Sequence, residues 1–192
     1  VLFSAVGLVA PEHLPAAVAG AAAGGFFPDL DLLGNHRRTL HFPVAYAAGG
    51  VALGVVALAV PTTATVALAA FVASAAIHSA MDALGGGLEV KPWQATSDRA
   101  VYSHYHDRWI SPRRWIRYDG APEDVALAGV LAGALVLTFA GPIQTAALAF
   151  LAISVVYGFC RKPLVVAGEY LVDRLPADVL DRIPFQFTED LS

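Results

Sequence analysis

Six residues of the chain have the types and spacing of metal ligands. Asp29 and Asp31 flank Leu30 after Pro28, and His36 and His41 complete a run of thirteen residues. His78 and Asp82 stand four apart, which puts both on one face of a helix. Carboxylate with imidazole is the donor set of Zn²⁺, Mn²⁺ or Fe²⁺ and needs no thiolate. A lone cysteine, Cys160, excludes an internal disulfide framework and a cysteine-rich zinc finger. Two more imidazoles, His104 and His106, lie in the run from Tyr102 to Trp109. In an extended segment they point to the same side, where they complete a metal site or act as general acid and base. Arg37 and the arginines near Trp109 suit an anionic group such as a phosphoester.

Plainer roles compete at each position. Asp29 and Asp31 after a proline fit a turn and a helix cap. His36 and His41 beside Arg37 and Arg38 fit an interface with lipid headgroups. His78 and Asp82 fit a buried hydrogen bond, although ionisable groups inside an apolar helix are costly and usually mark function. His104 and His106 fit an aromatic and basic lid at the membrane surface. All of these plain roles would have to hold together on one small protein, and the combination favours a site.

The elements that must position these residues are apolar. Hydrophobic residues make up 57% of the 192, charged residues only 15%, and the net charge is −4. A soluble domain carries about 25% charged residues, so this composition predicts an integral membrane protein. It excludes a disordered chain and a nucleic-acid binder resting on net positive charge. The 37 alanines and two lysines beside ten arginines point to a prokaryotic source. No basic region precedes the first apolar run, so no cleavable signal peptide is expected.

Six apolar stretches follow: Val1 to Ala10, Ala16 to Phe27, Pro43 to Val60, Thr65 to Leu84, Val125 to Ala140 and Ile143 to Cys160. A membrane span takes about 17–25 helical residues, which fits the last four. The first two form a short helical hairpin. Small residues at 47–50 and 129–133 permit close helix contact. The expected class is all-α, a polytopic transmembrane bundle over 1–160 with a long loop at 85–121. An amphipathic tail follows over 161–192, broken near Pro176.

All twelve Lys and Arg residues fall in 28–42, in 85–121 and after the last apolar stretch. Alternating spans put these three segments on one side. The positive-inside rule makes that side cytoplasmic in a multi-pass protein of the cell membrane.

The order of these motifs resembles the YdjM-like family of LexA-regulated inner-membrane proteins, described as metal-dependent hydrolases. The matching stretches are Pro28-Asp29-Leu30-Asp31, His36-Arg37-Arg38-Thr39-Leu40-His41, and His78 to Asp82 through Gly85-Gly86-Gly87 to Pro92-Trp93. They cover about the first hundred residues. Phe42 stands where that family usually has Ser, and no histidine precedes His13 where the family usually carries one.

The expected function is therefore a metal-dependent hydrolase at the cytoplasmic face. Asp29, Asp31, His36, His41, His78 and Asp82 would be the ligands of a divalent metal, zinc or else manganese or iron. His104, His106 and Arg37 would serve catalysis. Membrane lipids and an anionic or lipid-linked substrate are the expected partners, with no nucleic acid. A non-enzymatic membrane subunit that holds a structural metal and binds a partner protein is the rival.

Overall fold

The computed structural model of the chain describes residues 11–176 and Val179. The first apolar stretch, and the tail beyond Pro176 apart from Val179, lie outside the described residues. Five α-helices dominate: α1 (Leu14–Phe26), α2 (Pro43–Ala59), α3 (Thr63–Leu84), α4 (Pro122–Thr138) and α5 (Pro142–Val172). Three of them, α2, α4 and α5, open on a proline, whose missing N–H costs nothing at a helix start. At the entry to α3, Thr62 and Thr65 exchange hydrogen bonds: each hydroxyl accepts from the other's backbone N–H, at 3.1 and 2.9 Å. That reciprocal pair is the Thr version of a capping box.

The helical class expected from the sequence is the one observed. Its one departure among the described residues is an antiparallel pair, β1 (Val101–Ser103) and β2 (Arg108–Ile110), in register Val101↔Ile110, Tyr102↔Trp109 and Ser103↔Arg108. Tyr102 and Trp109 meet edge to face, with ring centroids 5.4 Å apart. Asp107 closes the turn at a φ of 49°, the left-handed residue that longer hairpin loops use.

Two helices, α3 with 22 residues and α5 with 31, are long and apolar enough to cross a membrane. Four were expected. The other two candidates, α2 and α4, have 17 residues each, about 25 Å at 1.5 Å per residue against a hydrocarbon core of about 30 Å. Pro61 and Gly141-Pro142 cut them short. The last apolar stretch instead runs long. α5 passes through residue 160 and through Pro163 without interruption and absorbs the start of the expected tail.

The chain forms two compact units. The first joins the described residues up to Leu84 to Asp98–Arg113. In it α1 lies hard against α3 at two glycines. A Cβ on Gly20 would stand 2.2 Å from the Ala67 carbonyl oxygen, and one on Gly24 would stand 2.0 Å from that of Phe71. Gly20 and Gly24 are four apart, the small-xxx-small spacing that lets helix backbones touch. α2 packs on the other side of α3, with Gly50 over Ala73.

The second unit joins Gly85–Ser97 to the described residues from Arg114 onward. Its loops are pinned to the middle of α5. Arg161 donates to Asp119 at 3.1 Å and to the Val90 carbonyl at 3.3 Å. Lys91 pairs with Glu169, and Lys162 lies over the rings of Trp93 and Tyr118. These anchors carry α5 past the end of its apolar run. Gly129 meets only Leu151, at 4.0 Å, and Gly133 meets nothing within 4 Å. Neither glycine of 129–133 makes a close helix contact here, while Ala132 between them is buried.

Candidate metal centre

The first unit gathers one end of its three helices around a polar cluster. α1 ends at Phe26, and the turn Pro28–Leu33 is a 3₁₀ helix that presents Asp29 and Asp31. α2 starts at Pro43, just after His41, and the last two turns of α3 supply His78 and Asp82.

Four of the six expected ligands converge. His41 Nε2 lies 3.1 Å from Asp82 Oδ2 and 3.9 Å from Asp29 Oδ1. His78 Nε2 lies 3.3 Å from Asp29 Oδ1 and 3.6 Å from Asp82 Oδ2. A tetrahedral ion with ligands at about 2.0–2.1 Å holds its donors roughly 3.3 Å apart, within the range of these separations. Asp29, His41 and His78 can hold a metal ion, because their ligand atoms all fall within 4.8 Å of one another. Asp82 offers a further oxygen to both imidazoles.

The unpaired atoms of the cluster point the same way. His41 Nε2, His78 Nε2 and Asp82 Oδ2 are buried and have no hydrogen-bond partner. His41 Nδ1 donates to Asp31 Oδ2 at 3.0 Å. A neutral His41 therefore presents a bare lone pair at Nε2 to carboxylate oxygens. Acceptors facing acceptors in a buried site are costly unless a cation lies between them. The donor chemistry fits a divalent metal.

Asp31 and His36 take other places. Asp31 is buried and turns both oxygens away from the cluster. It accepts from His36 Nδ1 at 3.0 Å, His41 Nδ1 at 3.0 Å, the Leu40 N–H at 3.0 Å and the Arg37 N–H at 3.3 Å. A carboxylate behind a ligating histidine fixes its tautomer and ring orientation. Burial raises the Asp31 carboxyl, but the Leu40 N–H and the two imidazoles outweigh it and leave the group below its ordinary value. Asp29 behaves alike: burial raises it, and His78, His36 and His41 together bring it lower.

Arg37 reaches the cluster from the side, with Nε 3.3 Å from Asp82 Oδ1. Its backbone is left-handed at a φ of 57°, an uncommon state for a side chain with a Cβ. Its N–H is bound to Asp31, its carbonyl accepts from the Tyr102 N–H at 2.9 Å, and its guanidinium donates to the Ala100 carbonyl at 3.4 Å. The β1 segment thus holds the Arg37 backbone that feeds the cluster.

His104 and His106 are not in an extended segment. Both sit in the four-residue turn between β1 and β2, where the alternation rule for strands has no force. His104 Nε2 donates to the Arg38 carbonyl at 2.6 Å, and its ring stacks on Phe42 at 4.5 Å. His106 Nδ1 lies 2.9 Å from Ser103 Oγ. None of these contacts involves the metal cluster.

Exposure grades across the centre. The side chain of His41 is fully buried, while that of Asp29 is 50% exposed. The cluster therefore opens on the Asp29 side. Sequence reasoning missed Gly20 and Gly24, which set the approach of α1 to α3 and hence of Asp29 to His78. Their spacing was the available signal. Comparisons with protein-family models, curated proteins and solved structures find no match to the chain.

Proposed function

We propose that the chain is a multi-pass membrane protein and a metal-dependent hydrolase, its site at the cytoplasmic face and its substrate a phosphoester or lipid-linked ester. The observation that carries the reading is the set of buried, unpartnered donor atoms of His41, His78 and Asp82 converging beside a half-exposed Asp29. Asp29, His41, His78 and Asp82 would hold the ion. A divalent metal supplies Lewis acidity and a bound water acidic enough to be a nucleophile near neutral pH.

The protein's own groups do the rest. Asp31 holds His41 as the Nδ1–H tautomer, so that Nε2 stays a lone-pair donor. Arg37 steadies Asp82 through its outer oxygen and brings positive charge to the cluster, as an anionic ester requires. Asp29, on the open side, is placed to accept a hydrogen bond from an entering water and so orient it. In hydrolysis water adds at phosphorus, the P–O bond to the alcohol breaks, and the alcohol leaves with a proton.

Membrane insertion is supported by outward-facing apolar side chains on several helices. Leu58 on α2, Leu137 on α4 and Phe159 on α5 are 80%, 90% and 80% exposed. Without lipid such a surface would aggregate.

The test combines metal content with turnover. Full-length protein purified without chelator should carry stoichiometric metal and hydrolyse a generic phosphoester, and chelation should abolish turnover. His78→Ala and Asp82→Ala should lose both. Metal retained in both variants would sink the centre as drawn. Bound metal without turnover of any ester would instead establish the rival, a membrane subunit with a structural metal.

A further inference from the structure

We propose that the cleft between the first turns of α2 and the β1–β2 turn takes the hydrocarbon chain of the substrate whose phosphate head lies at the metal centre. This rests on the hydrolase reading and supplies the half of the substrate that the centre leaves unspecified. The cleft has a volume of about 420 Å³ and is lined by Phe42, Val44, Ala45, Ala48, His104 and Tyr105, a size ordinary for small-molecule sites.

Its walls are largely apolar. The imidazole of His104 commits Nε2 to the Arg38 carbonyl and lays its ring face on Phe42. Ala45 and Ala48, one helical turn apart, leave room where larger side chains would fill it. A headgroup placed there would lose its hydrogen bonds to water and find few in exchange. A methylene chain loses nothing.

Continuity and charge select an amphipathic phosphoester over a free hydrocarbon. Phe42, which walls the cleft, directly follows His41 in the chain. Arg38 adjoins the cleft and follows Arg37 of the cluster in the chain: its carbonyl is held by His104, and its exposed guanidinium rests on the Tyr102 ring, 4.4 Å from the centroid. Arg38 is thus a cation at the edge of the cleft, beside Arg37 in the chain, a charge that suits a phosphate.

The experiment compares chain lengths within each protein. Butyl phosphate and octyl phosphate are given to the metal-loaded full chain in lipid nanodiscs, and phosphate release yields kcat/KM for each. A methylene fully buried from water contributes about fourfold, so four more set a ceiling of roughly 250-fold on the octyl-to-butyl ratio. The wild type should show a ratio above about tenfold. Ala48→Trp and Ala45→Trp should bring it close to one, while Leu58→Trp, at the far end of α2, should leave it as in the wild type. An equal ratio in all four proteins would overturn the cleft, because partition into the bilayer would then explain it.

If neither ester is hydrolysed, the hydrolase reading fails and a second measurement judges the cleft alone. Octyl phosphate with a diazirine at its chain end should label residues between Phe42 and Ala48 saturably in the wild type and not in Ala48→Trp. Labelling indifferent to that substitution would overturn the proposal.

Discussion

Of the two nitrogens of His41, one is bound to Asp31 and the other faces the carboxylates of Asp29 and Asp82, and the proposed centre depends on that division. Asp31 is the group that enforces it, since a carboxylate can accept from four donors at once and an amide cannot. Asp31→Asn would turn an NH₂ toward either an imidazole N–H or a backbone N–H, donor against donor in a buried place. We expect metal affinity to fall about 10–100-fold while helix content by circular dichroism stays as in the wild type. Unchanged affinity in a metal-buffered titration would remove Asp31 from the centre. The residue types of this site were legible in the sequence, because two carboxylates and two imidazoles in thirteen residues have few other uses beside an apolar His-x-x-x-Asp helix. The division of roles was not. Which aspartate faces His41 Nε2 and His78 Nε2 depends on the 3₁₀ turn at Pro28–Leu33 and on the left-handed backbone of Arg37. The latter is held by Tyr102, far away in the chain.

The helices were legible wherever proline and glycine punctuate an apolar run. α2 spans Pro43–Ala59 against an expected stretch of Pro43 to Val60, and α3 ends at Leu84 as expected. The end of α5 was not legible, because a proline at 163 reads as a break. Interior proline removes one helical hydrogen bond, and ion pairs such as Lys91 with Glu169 keep the following turns in place. The strand pair escaped notice because three-residue strands carry too little alternation to register. Among glycines, composition alone does not separate structural contact from filler, and the two classes should respond oppositely to one methyl group. Gly24→Ala would drive a Cβ into the Phe71 carbonyl and force α1 off α3. Overpacking of this kind costs about 1–3 kcal/mol, and it should also weaken metal binding by moving Asp29 from His78. Gly133→Ala meets open space and should gain roughly 0.5–1 kcal/mol from helix propensity. Thermal unfolding in one detergent checks both. A Gly24→Ala protein as stable as the wild type would refute the close contact.

At the scale of the molecule, the asymmetry of charge was written in the sequence and the division into two units was not. The loop expected at 85–121 is shared: Asp98–Arg113 belongs with the helices before it and the remainder with those after it. Only folded contacts reveal such an exchange, among them the Tyr102 N–H on the Arg37 carbonyl and Arg161 on the Val90 carbonyl. Within the first unit the ends of the helices differ sharply. At one end His13 Nε2 donates to the Pro61 carbonyl at 3.0 Å, and the connections 11–15 and 61–64 contain neither Lys nor Arg. At the other end lie Arg37, Arg38 and the His/Asp cluster that could hold a metal. Cations resist transfer across a membrane during insertion, so the end that carries them should remain in the cytoplasm. Single cysteines in a Cys160→Ser background test this with an impermeant thiol reagent. His13→Cys and Thr63→Cys should be labelled in intact cells, whereas His36→Cys and His104→Cys should be labelled only after the membrane is opened. Labelling of His36→Cys or His104→Cys in intact cells, with His13→Cys and Thr63→Cys protected, would reverse the orientation and place the metal centre outside the cell.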